Sequence, residues 1–210
     1  MSHSDSTHSK PQREAPPSAR PGRGAALPQR LAAAALFALL WPGLPATHST
    51  TLARMDLREL ARRAVYVARV RCVQAVSWAD ASLVWSLTSF EVTEIWKGDP
   101  PPKFTVRLPG GESAGKRVTV EGAPRFAVGE EAVLFLEPER GLQLNIVSWA
   151  QGTFRIRRNP RTGAEEATQD TAGLQLLDAR SSKTSEGERR RLPLAELRAG
   201  VARAIAESGR

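Results

Sequence analysis

From Val65 to Arg158 the apolar residues recur mostly at every second position, and Gly and Pro cut the chain between the segments that carry this period. A period of two places side chains alternately on the two faces of an extended chain, so these segments read as strands and not as helices. Ala68, Val70 and Cys72 alternate with Arg69 and Arg71 in a first strand over Val65 to Val76. Trp78 to Ser82 reads as a turn, and Leu83 to Trp96 as a long second strand with Phe90, Val92 and Trp96 on one parity. Pro100, Pro101 and Pro102 stop it, because proline donates nothing to a ladder. Phe104, Val106 and Leu108 mark a third strand, and Val118 with Val120 a fourth. Ala132 to Leu136 is continuously apolar, which indicates a strand buried on both faces. Leu142 to Trp149 and Thr153 to Arg158 complete about seven strands. Many short strands with Gly/Pro turns predict a mainly β body, a sandwich or a small barrel, over 52–163.

Helices flank this body. Asp56 is a good N-cap and Glu59 follows at capping-box spacing. Leu57, Leu60, Ala61 and Ala64 then form one apolar stripe, so a short helix opens the domain. Residues 164–191 are polar and read as a linker containing Arg189, Arg190 and Arg191. An amphipathic helix over 192–208 follows, with Pro193 in its first turn and Leu194, Leu197, Val201, Ala204 and Ile205 on its apolar side.

The N-terminal region reads differently. Residues 1–30 are rich in Ser, Pro, Gly and Arg and predict a disordered extension. Leu31 to Trp41 is an unbroken apolar run, too short to cross about 30 Å of hydrocarbon as a helix. Arg20, Arg23 and Arg30 precede it, Pro42, Gly43 and Pro45 break it, and Ala46 is a small residue suited to cleavage. Residues 31–46 therefore predict a secretory signal, which makes the protein exported, periplasmic or secreted. Anchoring to a membrane by 31–46 is the alternative, and membrane contact is expected only through that segment. A twin-arginine signal is not supported, because no Arg-Arg pair precedes the apolar run.

Charge and chemistry narrow the function classes. The first 46 residues hold five of the 30 basic and two of the 22 acidic residues, which leaves a net of +5 beyond Ala46. That is too mild and too scattered for a nucleic-acid footprint, and export makes such a partner unexpected. The three histidines are His3, His8 and His48, so the predicted body contains none. Ser-His-Asp and Cys-His catalysis and His-ligated metal are excluded there. The single cysteine, Cys72, rules out an intrachain disulfide and reads as a small buried hydrophobe.

Gly110 to Arg117 nearly matches a phosphate-binding loop, but Arg117 replaces the required hydroxyl and strand-like sequence follows where a helix is needed. It reads as a strand connection. Glu130-Glu131 and Glu165-Glu166 are adjacent acids whose neighbours point to opposite faces, so neither pair alone makes a two-carboxylate site. No catalytic, metal or cofactor site is expected. Most aromatics read as core, but Trp78 and Trp85 flank a turn and are the expected exposed, ligand-contacting pair.

Two stretches, Arg62 to Val70 and Phe90 to Gly98, resemble the opening of an exported bacterial protein family of uncharacterised function. Gly122 to Phe126, Gly129 to Glu131, Leu134 to Leu136 and Ala150 to Phe154 are similar to the same group. The first half also resembles the netrin-like module of tissue inhibitors of metalloproteinases, an OB-type β-barrel. That resemblance implies an OB-like barrel of about seven strands. It does not imply metalloproteinase inhibition, which in that family uses an N-terminal cysteine and disulfides that this chain lacks.

These readings converge on an exported, non-enzymatic β-barrel protein that binds a protein or polysaccharide partner. One alternative is a carboxylate-only enzyme acting on glycans, which needs two acids facing each other across a cleft. The other is an OB-type single-strand nucleic-acid binder, which requires that residues 31–46 are not an export signal.

Overall fold

The computed structural model describes residues 51–81, 83–139 and 143–208. The expected extension, the export segment and all three histidines lie outside these residues. In chain order the elements are β1 (Thr51–Ala53), α1 (Leu57–Arg63), β2 (Tyr66–Ala79), β3 (Val84–Lys97), β4 (Lys103–Pro109), β5 (Gly111–Ser113) and β6 (Lys116–Val118). They continue with β7 (Glu131–Pro138), β8 (Leu144–Ile146), β9 (Thr153–Arg158), β10 (Glu165–Asp170), β11 (Gln175–Asp178), β12 (Lys183–Glu186), β13 (Arg189–Pro193) and α2 (Leu194–Ser208).

The protein is mainly β, and a C-terminal helix is present. Eight strands form one antiparallel sheet in the order β13-β10-β9-β7-β2-β3-β4, with β8 paired to the far end of β7. β1, β11 and β12 form a small second sheet, and β5 and β6 a hairpin.

β7 is the pivot. All five residues from Ala132 to Leu136 are buried, as their unbroken apolar run predicts. Val133 and Phe135 face one core, under α1 and α2, together with Val67, Phe154, Leu192 and Leu197. Ala132, Leu134 and Leu136 face a second core with Val70, Phe90, Phe104, Leu108 and Ile146. The strand therefore anchors two cores, one on each side of the sheet.

The expected barrel is not what the strands make. The sheet does not close; among the described residues the pairing at this seam is an isolated parallel bridge between Thr105 of β4 and Gln143, just before β8. β8 is three residues long, too short to continue a ladder from that point. The expected polar linker 164–191 is also corrected: it contains β10, β11 and β12 and the start of β13. Its charges match across the ladders. Asp170 lies opposite Arg189 and Glu165 opposite Arg158, so the strands are held by complementary side chains where apolar alternation is absent. Pro193 ends β13 and does not lie inside the helix.

The first helix forms for the reason its sequence shows. The Asp56 carboxylate accepts from the Glu59 N–H at 2.8 Å, and the Glu59 carboxylate accepts from the Asp56 N–H at 3.1 Å. Lys97 closes the other end by donating to the carbonyls of Ala61 and Ala64 at 2.7 and 2.5 Å. Gly200 of α2 faces α1, and a Cβ there would lie 2.7 Å from a Leu57 methyl. The glycine that weakens α2 as an isolated helix thus lets the two helices approach.

One polar side chain holds this assembly together from inside. Gln151 is buried, yet its amide accepts from the Met55 N–H at 2.8 Å and donates to the Ala53 carbonyl at 2.9 Å and the Ser148 hydroxyl at 2.7 Å. It ties the segment between β1 and α1 to the sheet. Gln151→Leu keeps the volume but strips partners from the part-buried Met55 N–H and Ala53 carbonyl and from the Ser148 hydroxyl. We expect a loss of about 3 kcal/mol in unfolding free energy, read as a lower denaturant midpoint at unchanged slope. A variant as stable as the parent contradicts this role.

Candidate functional site

β2 and β3 form a hairpin longer than the sheet that supports it. β7 pairs with β2 only from Tyr66 to Arg71, whereas the β2–β3 ladder runs on to Ala79 and Val84. Beyond Arg71 only β4 continues the support, against β3 from Glu91 to Trp85. A β-bulge between Cys72 and Gln74 marks the point where the hairpin leaves β7.

Trp78 and Trp85 lie directly opposite each other in this ladder. Alternation and register put Gln74, Val76 and Trp78 of β2, Ser89, Leu87 and Trp85 of β3, and Thr105, Arg107 and Pro109 of β4 on one face. The opposite face carries Val84, Thr88, Phe90, Val106 and Leu108, all buried. The tryptophan face is open: Val76 is 48% and Trp78 38% exposed, and Trp85 is half-buried. Trp85 is fixed in place. Its Nε1 donates to the Asp80 carboxylate at 2.9 Å, and the Arg107 guanidinium sits over its ring at 4.6 Å. The sequence places both tryptophans beside a turn; the structure makes them partners on one surface, with Trp78 inside the strand and the turn after Ala79.

Other aromatics serve the cores. Phe90 stacks on Phe104 at 5.5 Å and meets Phe126 edge-on at 4.9 Å. Trp96 departs from the parity it shares with Phe90 in sequence, because register shifts in the β2–β3 ladder reset the alternation between them. It packs toward the helix-side core, where its buried Nε1 has no hydrogen-bond partner among the described residues.

The adjacent acids have a second life that their spacing conceals. Glu131 and Glu165, one from each pair, converge on Arg69. Arg69 donates to Glu131 at 2.5 and 3.0 Å and to Glu165 at 2.8 and 3.0 Å. Arg71 adds a bond to Glu131 at 2.9 Å. Arg69, Glu131 and Glu165 line a cleft of about 350 Å³ with Glu130, Arg155, Arg157 and Arg158. Hydrogen bonding to Arg69 is the largest influence on both carboxyls and holds each below the usual carboxylate range. A glycan hydrolase with two carboxyls needs one of them kept protonated as the acid. Here both are driven to the charged form, so the arrangement suits a structural ion network.

Cys72 is buried in the second core, where burial raises its thiol pKa and its Sγ lies 3.6 Å from the Gln74 carbonyl. The near-phosphate loop is the β5–β6 hairpin, turned by Ala114 and Gly115 at φ of 49° and 73°. Among the described residues no cluster of three or more His, Cys, Asp or Glu could hold a metal ion. Gln151 is a structural anchor that periodicity alone does not reveal; it stands between two strands, and only the resemblance block Ala150 to Phe154 marks it.

No family model matches the chain, and no curated protein matches it.

The Arg69 network gives a pH dependence with a definite sign. Glu131 and Glu165 have folded pKa values below their ordinary value of 4.5, so their stabilisation is present above that pH and is lost as pH falls through the folded values. Arg69→Met removes the shared partner. We expect the variant to be less stable than the parent at neutral pH and the difference to shrink as pH drops below about 4.5, followed by thermal melts at several pH values. A difference that is constant with pH contradicts the assignment.

Proposed function

We propose that this chain is an exported, non-enzymatic protein of the uncharacterised bacterial group it resembles, and that it binds a partner through the tryptophan face of the β2–β3–β4 sheet. The observation that carries the reading is the cross-strand pair Trp78–Trp85 on an open face, with Arg107 seated over Trp85. Aromatic rings in a folded body are ordinarily covered, and a contiguous exposed set marks an interaction surface. The fold spends a hydrogen bond from Trp85 Nε1 to the Asp80 carboxylate and a cation contact from Arg107 on orienting one ring of this pair.

A polysaccharide fits this face better than a protein. The face spans three strands and is not covered by either core, so an extended polymer can run along it. Gln74, Ser89 and Thr105 share it with the rings, so hydrogen-bonding groups stand beside stacking surfaces. Sugar rings present both C–H faces and hydroxyls to such a mixture. Export rests on residues 31–46, whose apolar run and following Pro-Gly break have the form of a signal. The non-enzymatic reading is supported by Arg69, which holds Glu131 and Glu165 charged where a proton donor would be needed.

The test uses the full chain expressed in a bacterial host. The exported fraction is isolated, its N-terminus is sequenced, and tryptophan fluorescence is titrated with a panel of cell-wall and extracellular polysaccharides. We expect an exported species beginning near Thr47 that binds at least one member of the panel. Trp78→Ala and Trp85→Ala should each weaken that binding by roughly tenfold or more, the cost of losing a stacked aromatic anchor. Binding that both variants retain, or a response only to protein ligands, overturns the polysaccharide reading.

A further inference from the structure

The distal half of β2 offers a second feature, its backbone edge. β7 pairs with β2 only as far as Arg71, and Cys72 makes the last bonds on that side, to Glu130 and Gly129 at 2.8 Å each. From Val73 to Ala79 the described residues give that edge no backbone partner. β5 lies against one face of the hairpin near Ser77 and Ser86 and leaves the edge itself unpaired. The Asp80 N–H bonds the Leu83 carbonyl across the hairpin end. By alternation, Trp78, Val76 and Gln74 turn their backbone groups toward β3, and Ala79, Ser77 and Ala75 turn theirs outward. Three residues thus present N–H and C=O groups in a row.

Natural sheets usually blunt such edges with charge or proline. The edges of β13, β4 and β12 follow that rule. β13 carries Arg189, Arg190 and Arg191; β4 carries Lys103 and Arg107 and ends in Pro109; β12 carries Lys183 and Glu186. Cys72 to Ala79 contains no charge and no proline, and Val73, Val76 and Trp78 on it are exposed. The unprotected edge is bounded by opposite charges, Arg71 before it, which also bonds Glu131, and Asp80 after it, whose carboxylate also accepts from the Trp85 indole and the Leu83 N–H.

We infer that this edge pairs with the same edge of a second copy, antiparallel about a two-fold axis at Val76. The charge pattern selects this occupant. Antiparallel self-pairing brings the Arg71 end of each strand toward the Asp80 end of the other, whereas parallel pairing would set like charges together. Within the paired span no charge opposes another. Val76 is the centre of Val73–Ala79, and a residue whose backbone turns inward can lie on the axis as a non-hydrogen-bonded pair. The two sheets then run on as one, and the tryptophan face of each copy continues into that of the other. This inference stands apart from the polysaccharide proposal, since the edge is a backbone feature whatever the face binds.

The test is the oligomeric state of the full chain by sedimentation and light scattering, up to about 100 µM, where a pair with micromolar affinity is populated. We expect a dimer. Val76→Lys sets two ammonium groups against each other on the axis, on an exposed position outside both cores, and should give a monomer with unchanged circular dichroism. Ala75→Pro removes one outward N–H and spares the β2–β3 ladder, with the same expected loss. Val76→Cys should form a disulfide-linked dimer on oxidation, because paired Cα atoms at a non-hydrogen-bonded site lie within disulfide reach. A parental chain that stays monomeric overturns the inference, as does a dimer that both edge variants retain, which would place association elsewhere, the N-terminal segment included. Failure of Val76→Cys to cross-link overturns it too, even if the other variants prove unstable.

Discussion

The burial of β7 on both faces is the constraint from which the architecture follows. Five consecutive apolar residues cannot lie in a sheet with one wet face, so each side of Ala132 to Leu136 must be covered. The protein meets this demand in two ways. On one side α1 and α2 supply Leu60, Leu197 and Val201 over Val133 and Phe135. On the other, β3, β4 and β8 bring Phe90, Phe104, Leu108 and Ile146 over Leu134 and Leu136. Gln151 and Lys97 then spend hydrogen bonds on fixing the segments that carry the helical cover.

What is available for function is what this arrangement does not need. The cores require β2 and β3 only near β7, and the hairpin continues past that point with β4 alone beside it. One face of the extension is still occupied by the second core. Its other face is free of that duty, and this is where Trp78, Trp85, Val76 and Leu87 stand with Arg107. The same departure from β7 leaves the backbone edge of Val73 to Ala79 open. The open tryptophan face, proposed for binding, and the open edge, proposed for pairing, both follow from one bulge, the irregularity between Cys72 and Gln74 that carries the strand away from β7.

The parts legible in the sequence are those where one physical signal dominates. The capping box at Asp56 and Glu59, the continuous run in β7 and the alternation in β4 all reappear in the structure. Trp78 and Trp85 stand together because both flank the same reversal. The region 164–191 was opaque because its strands carry charge complementarity in place of apolar alternation. Arg189, Arg190 and Arg191 look like a basic run in one dimension, yet Arg189 and Arg191 meet Asp170 and Glu166 from the neighbouring strand. The convergence of Glu131 and Glu165 on Arg69 was hidden for the same reason, since it joins three strands distant in sequence. Closure failed where a three-residue β8 could not supply the ladder that an OB-like barrel needs. The parity of Trp96 failed because bulges in the β2–β3 ladder are invisible to a strict period of two.

Native-state hydrogen exchange on the full chain, residue by residue, tests the role of β7 most directly. If its two-sided burial holds the fold together, the amides of Val133, Leu134 and Phe135 exchange only through global unfolding, at the free energy that denaturation reports, while those of β12 and β13 open locally and faster. Exchange at Val133 to Phe135 that is as fast as at Arg189 to Arg191, or that proceeds while α2 stays protected, would contradict the account.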